Sequence, residues 1–146
     1  MPPNAQADTA LRRDFMTELE VQRAFVNILS ASVSDTARFY ESLLGMTRHF
    51  ESEWFVILTH PDIKGLEYGV LQRDHPTVPP ELRQSPAGMI VTFVINDCDE
   101  AYARARAMNA QIVQEPTDMP YGQRRLLVTD PDGTVLDISS PTASQR

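Results

Sequence analysis

The sequence predicts an α+β fold of two βαβββ modules, forming curled mixed sheets around a cleft, with a helix ahead of them. Three observations carry this. A strand-then-helix pattern occurs twice: from Phe25 into a helix after Ser32, and from Ile90 into a helix after Asp97. Repetition on this scale marks a duplicated structural unit. Between the copies lies a stretch bearing Pro76, Pro79, Pro80 and Pro86, and residues with fixed φ and no N–H disfavour helix and central strand. Each copy ends in short apolar-alternating runs, the last two wrapped around Asp130-Pro131-Asp132-Gly133, which is the chemistry of a tight turn between strands.

The chain has 146 residues, 42% hydrophobic and 23% charged, with a formal net charge of −7. That length suits one domain with a substantial core. The acidic balance, with no basic run to offset it, argues against a nucleic-acid partner. No apolar run approaches the ~20 residues of a membrane span, and the first residues lack the apolar stretch of a signal peptide. A single cysteine, Cys98, excludes an internal disulfide framework and fits a reducing compartment. The expectation is a cytoplasmic protein.

Taken in order, residues 1–23 form an extension. Leu11, Phe15, Met16 and Leu19 fall at helical spacing, predicting a helix over 8–23 capped by Asp8 or Thr9. The main domain spans 24–140, with a first module at 24–73, a linker at 74–88, a second module at 89–140, and a tail at 141–146. Residues 24–31 read as a buried strand. Ser32 or Ser34 caps a helix through Leu44, and Gly45 stands where a helix end wants a left-handed residue. Strands at 46–50, 54–59 and 66–73 complete the first copy. The second begins with a strand at 89–95. A helix capped by Asp97 or Asp99 then runs to Met108, with Asn109 as its stop. Strands at 111–114, 125–129 and 134–138 complete it.

On the final strand Val135, Asp137 and Ser139 share one face. A carboxylate in an apolar strand is costly to bury unless paired, protonated or coordinated, so Asp137 is a functional candidate, with Arg124 or Arg125 as a structural partner. Cys98 opens a helix, where the dipole favours a thiolate. Its flanking Asp97 and Asp99 oppose this, and no histidine lies near in sequence to serve as a base. His49, His60 and His75 share no metal-binding spacing with another ligand type, and the chain has no GxSxG elbow or P-loop.

Three stretches, FVNILSASVSDTARFYESLLGM, VTFVINDCDEAYARARAMNA and PYGQRRLLVTDPDGTVLDI, resemble the vicinal oxygen chelate superfamily, the glyoxalase I, bleomycin-resistance and extradiol-dioxygenase group. The resemblance covers about residues 24 to 140. It implies two βαβββ modules around a cleft, and in the metalloenzyme members four cleft-facing ligands on the first and last strands of each module. By position these fall on Phe25, Gln72, Ile90 and Asp137. Phe25 and Ile90 carry no donor atom, which leaves Asp137 and the weak donor Gln72 as metal candidates. The expected cofactor is therefore none, with a divalent metal as the alternative.

An apolar cleft floor suits a small organic ligand held by stacking and a few polar contacts. Strand parity and position put Phe25, Asn27, Trp54, Tyr68, Gln72, Ile90, Thr92, Tyr121, Arg124 and Asp137 around it. The reading is a small-molecule binding protein without the usual metal site, sequestering an aromatic or amphipathic compound, with a homodimer implied by the resemblance. The alternatives are a metal-dependent lyase or dioxygenase-like enzyme with a degenerate site, and a metal-free isomerase using Asp137 as general base.

Overall fold

The computed structural model describes residues 18–143. It contains two four-stranded sheets with two helices. In the first, β1 (Val26–Ser30), β2 (Thr47–Glu51), β3 (Phe55–His60) and β4 (Ile63–Gln72) lie in the order β1-β4-β3-β2. In the second, β5 (Ile90–Val94), β6 (Gln111–Asp118), β7 (Gln123–Thr129) and β8 (Val135–Pro141) lie in the order β5-β8-β7-β6. The β1–β4 and β5–β8 pairs are parallel, and the other pairs antiparallel. Each module thus closes its helix crossover by bringing the last strand back beside the first. Both sheets curl without closing, as the duplicated pattern predicts. Among the described residues no helix is long and apolar enough to cross a membrane.

Helix α1 (Val33–Leu44) starts at Ser32, which adopts extended backbone, and stops at Gly45 with φ of 70°. The Gly45 N–H bonds the Glu41 carbonyl, the left-handed termination that a residue without Cβ makes without strain. Helix α2 (Cys98–Ala107) is capped by the Asp97 carboxylate, which accepts from the Glu100 N–H. Asn109, at φ of 56°, ends it. Both stops and the Asp97 cap stand where the sequence places them, whereas Ser32 holds the N-cap position without a side-chain capping hydrogen bond.

One core joins the modules. Tyr40, Leu43 and Ala37 of α1 and Ala101 and Ala105 of α2 bury themselves with Ile28, Leu58 and Val70 of one sheet and Leu126, Leu136 and Ile138 of the other. Truncating such a leucine to alanine costs about 2–5 kcal/mol. Tyr40 packs against both Tyr68 and Phe93, with ring centroids 4.9 and 6.4 Å away.

The Asp130–Gly133 turn adds a polar clasp. Asp130 accepts from the Asp132 and Thr134 N–H groups, as its turn chemistry predicts, and also from the Tyr40 hydroxyl at 2.7 Å. Asp132 reaches into the first module, accepting from the Ala31 N–H at 2.8 Å and the Thr36 hydroxyl at 2.7 Å. The turn is therefore also an intermodule latch.

Several boundaries differ from expectation. The expected helix over 8–23 lies outside the described residues up to 17, and residues 18–25 carry no regular secondary structure. Strands β4, β6, β7 and β8 run longer than their alternation suggests, because ladder pairing continues past the apolar positions. The linker holds a single 3-10 turn, Pro80–Leu82. β1 is only partly buried: Ile28 and Ser30 face the core, whereas Asn27, on the opposite face, and Val26, at the start of the strand, are exposed.

Candidate functional site

Strand pairing decides which side chains share the open face of each sheet. In the first, Asn27 pairs with Gly69 and Leu29 with Leu71, while Phe55 lies opposite Leu71 and Ile57 opposite Gly69. One step beyond the ladder's end, Phe25 stands beside Glu67. Phe25 stacks on Phe55 at 6.4 Å, and Phe55 contacts Phe50 at 5.8 Å and Trp54 at 5.9 Å. Trp54 stacks in turn on the His75 ring at 3.8 Å. The result is a partly exposed aromatic shelf. The Arg23 guanidinium lies over Phe25, 4.8 Å from the ring centre, and chelates Glu67 with Nε 2.9 and 2.7 Å from its two oxygens. This hydrogen-bonded ion pair holds the Glu67 carboxyl below its ordinary range, with a weaker pull from His49.

Asn27 folds back over Gly69. A Cβ on residue 69 would fall 2.0 Å from the Asn27 Oδ1, so this glycine leaves the space that the amide fills. Beside it, a cavity of about 280 Å³ opens between the linker and β1, with Leu29, Leu82, Pro86 and Met89 as apolar walls and Asn27, Glu81 and Gln84 as polar groups.

On the second sheet Thr92 pairs with Asp137, and Asp137 with Leu127. Ile90 and Val94 share this face and are 59% and 67% exposed. The Thr92 hydroxyl donates to Asp137 Oδ2 at 3.4 Å, while Oδ1 is buried with no hydrogen-bond partner. Arg125 does not pair with Asp137; it donates to the Gln114 side-chain oxygen at 3.1 and 2.9 Å.

Of the expected site residues, Phe25 and Asn27 belong to the first open face, Trp54 joins it just ahead of β3 through its ring contact with Phe55, and Ile90, Thr92 and Asp137 belong to the second. The first group's ring contacts extend to Arg23 ahead of β1 and His75 in the linker, while Asp137 of the second group bonds Thr92 within its own sheet. Four others lie elsewhere. Tyr68 is buried on the helix side, its hydroxyl 2.8 Å from that of Tyr40. Burial pushes both phenols upward. Gln72 pairs with the buried Ser30 and donates to Asp74. Arg124 points toward α2 and bridges Asp99 and Asp118. Tyr121, 60% exposed, sits in the turn between β6 and β7. Sequence reasoning missed Glu67, Phe50 and Arg23; the charge at 67, alternating with Gly69, is the signal that could have found the outward parity of β4.

Cys98 is buried, donates from Sγ to the Ile138 carbonyl, and has its thiol pushed up to about 11 by burial and then by the Asp99 charge. Such a thiol is inert. His60 bonds the Leu44 carbonyl at the end of α1, and His75 bonds Thr77. Among the described residues no group of three or more His, Cys, Asp or Glu could hold a metal ion. With Phe25 and Ile90 lacking donors and Gln72 turned away, these four positions do not fit the divalent metal that the resemblance implies.

Residues 23–138 match the model of the Glyoxalase/Bleomycin resistance protein/Dioxygenase superfamily. The chain belongs to this superfamily. Curated glyoxalase-superfamily relatives include proteins of Mycobacterium bovis and Mycobacterium tuberculosis, each named "Putative glyoxylase CFP32" and 29% identical over 111 residues. That alignment covers 73% of this chain, but the chain spans only 39% of the length of those relatives. Among solved structures, a glyoxalase/bleomycin resistance protein/dioxygenase family enzyme from Burkholderia phytofirmans superposes with a TM-score of 0.69 at 18% identity, covering 80% of this chain and 96% of that one. A bleomycin resistance determinant encoded on transposon Tn5 superposes with a TM-score of 0.59 at 24% identity, covering 84% and 99%. These structures share the glyoxalase/bleomycin-resistance fold with the chain.

Proposed function

We propose that this protein binds a flat aromatic or amphipathic small molecule, without a metal, and sequesters it. The observation that carries the reading is the aromatic shelf. Phe25 occupies a position where the resemblance implies a metal ligand, and joins Phe55, Phe50 and Trp54 in one partly exposed ring cluster. Aromatic pairs of this kind contribute about 0.5–1.5 kcal/mol beyond burial, and a planar ligand would extend the stack. The exposed Ile90 and Val94 support a homodimer in which a second copy covers the open faces and completes the cleft. A cytoplasmic setting belongs to the same proposal, since buried, reduced Cys98 needs no oxidising compartment.

A second reading is an enzyme of the lyase or isomerase kind. It draws on the name of the mycobacterial relatives and on the unpartnered Asp137 Oδ1, with Asp137 as the proton-transfer group.

A thermal-shift screen of planar aromatic compounds separates the two, because a ligand of the native state raises the melting temperature by mass action. Binding should weaken about tenfold, equivalent to about 1.4 kcal/mol, in Phe55→Ala and stay unchanged in Asp137→Asn. No stabilisation by any aromatic compound, or turnover lost specifically in Asp137→Asn, would overturn sequestration.

A further inference from the structure

The shelf already holds a cation. Arg23, in the segment leading to β1, places its guanidinium over Phe25 and hydrogen-bonds both oxygens of Glu67. A planar cation on an aromatic face with a carboxylate chelating its edge is a complete recognition pattern for guanidinium-like groups. From this contact we infer that Arg23 is an internal stand-in for the ligand: the site selects a planar aromatic cation, an amidinium or guanidinium, which must displace Arg23 to bind. This rests on the reading of the shelf as the ligand site and adds the ligand's charge.

The two partners are unequally anchored. Glu67 lies within β4, its side chain 14% exposed, whereas Arg23 is 54% exposed on a segment without regular structure. Removing the arginine leaves the carboxylate in place beside the ring. His49 exerts the opposing charge on Glu67, too weakly to replace a bidentate partner. Arg125, on the other sheet, is held by Gln114, so it does not compensate. A neutral aromatic ring could stack on Phe25 but would leave the Glu67 oxygens without donors, and an anion would meet that carboxylate directly.

The probe is p-aminobenzamidine, with p-aminobenzamide as its uncharged isostere and p-aminobenzoate as the anion. Binding is read by probe fluorescence and by quenching of Trp54, the only tryptophan. Arg23→Ala should bind the amidine about tenfold more tightly than the wild type, the gain of a vacated cation site. Arg23→Ala with Glu67→Gln should lose that gain. The isosteric amide should gain clearly less than the amidine from Arg23→Ala, and the benzoate should bind neither protein. An amidine affinity unchanged by Arg23→Ala, or a gain that survives Glu67→Gln, overturns the inference. If uncharged aromatics bind while the amidine gains nothing, only the charge preference fails. If no aromatic probe binds either protein, the shelf reading fails with it.

Discussion

Asp130 shows what a single residue does for both modules. It is 4% exposed, and burial raises its carboxyl above the ordinary range against the lowering effect of Tyr40 and two backbone N–H groups. A raised folded-state value means that its contribution to stability is fully present below the unfolded value and is lost as pH rises through the folded one. Tyr40→Phe removes the donor that holds the charged form. That variant should lose about 1–3 kcal/mol in urea denaturation at neutral pH, the cost of an unsatisfied buried acceptor. The loss should shrink in acid as Asp130 takes up a proton. A loss equal at both pH values would mean that Tyr40 acts through packing alone. The turn around Asp130 was legible in the sequence, because Pro131 and Gly133 demand it. Its second role was not, because Tyr40 lies ninety residues away and no local pattern reports such a partner.

At the scale of the element, β4 shows why the site was only partly legible. Tyr68, Val70 and Gln72 look as suited to a cleft as Glu67, Gly69 and Leu71, since apolar residues occupy both parities. A one-residue slip exchanges the faces of a strand, and only pairing with β1 settles it. The same ambiguity moved Arg124 off the site: in the run Arg124-Arg125-Leu126-Leu127, the burial of Leu126 turns Arg124 toward α2. Helices escaped this, because Ser32, Gly45, Asp97 and Asn109 mark their ends by local chemistry. Pairing also gives Gly69 a purpose. A methyl group there would meet the Asn27 amide and stand 3.1 Å from the Val26 carbonyl. Gly69→Ala should therefore destabilise by about 1–3 kcal/mol through overpacking. Adding Asn27→Ala should recover part of that loss in a double-mutant cycle. Strict additivity of the two changes would show that the amide does not fill the space over Gly69.

For the whole molecule, the clasp and the shared core set the placement of the open faces. The modules bind each other through their helices, Tyr40, Phe93 and the Asp130 turn, so neither sheet spends its outer face on the other module. Phe50 on the first face and Ile90 and Val94 on the second are consequently exposed. A stable interface buries about 1,200–2,000 Å² in all, far more than these side chains alone, so the proposed homodimer requires a partner copy lying along a whole sheet face. Charge placed at Ile90 and Val94 then acts at the middle of that contact. The wild type should sediment as a dimer, and Ile90→Glu with Val94→Glu as a monomer with unchanged circular dichroism, since both side chains already face solvent within one chain. Aromatic ligand affinity should fall together with the dimer if the second copy supplies part of the cleft wall. A wild type that stays monomeric at its highest soluble concentration would instead confine the ligand site to the shelf of one chain, with Phe25, Phe50, Phe55 and Trp54 as its aromatic surface.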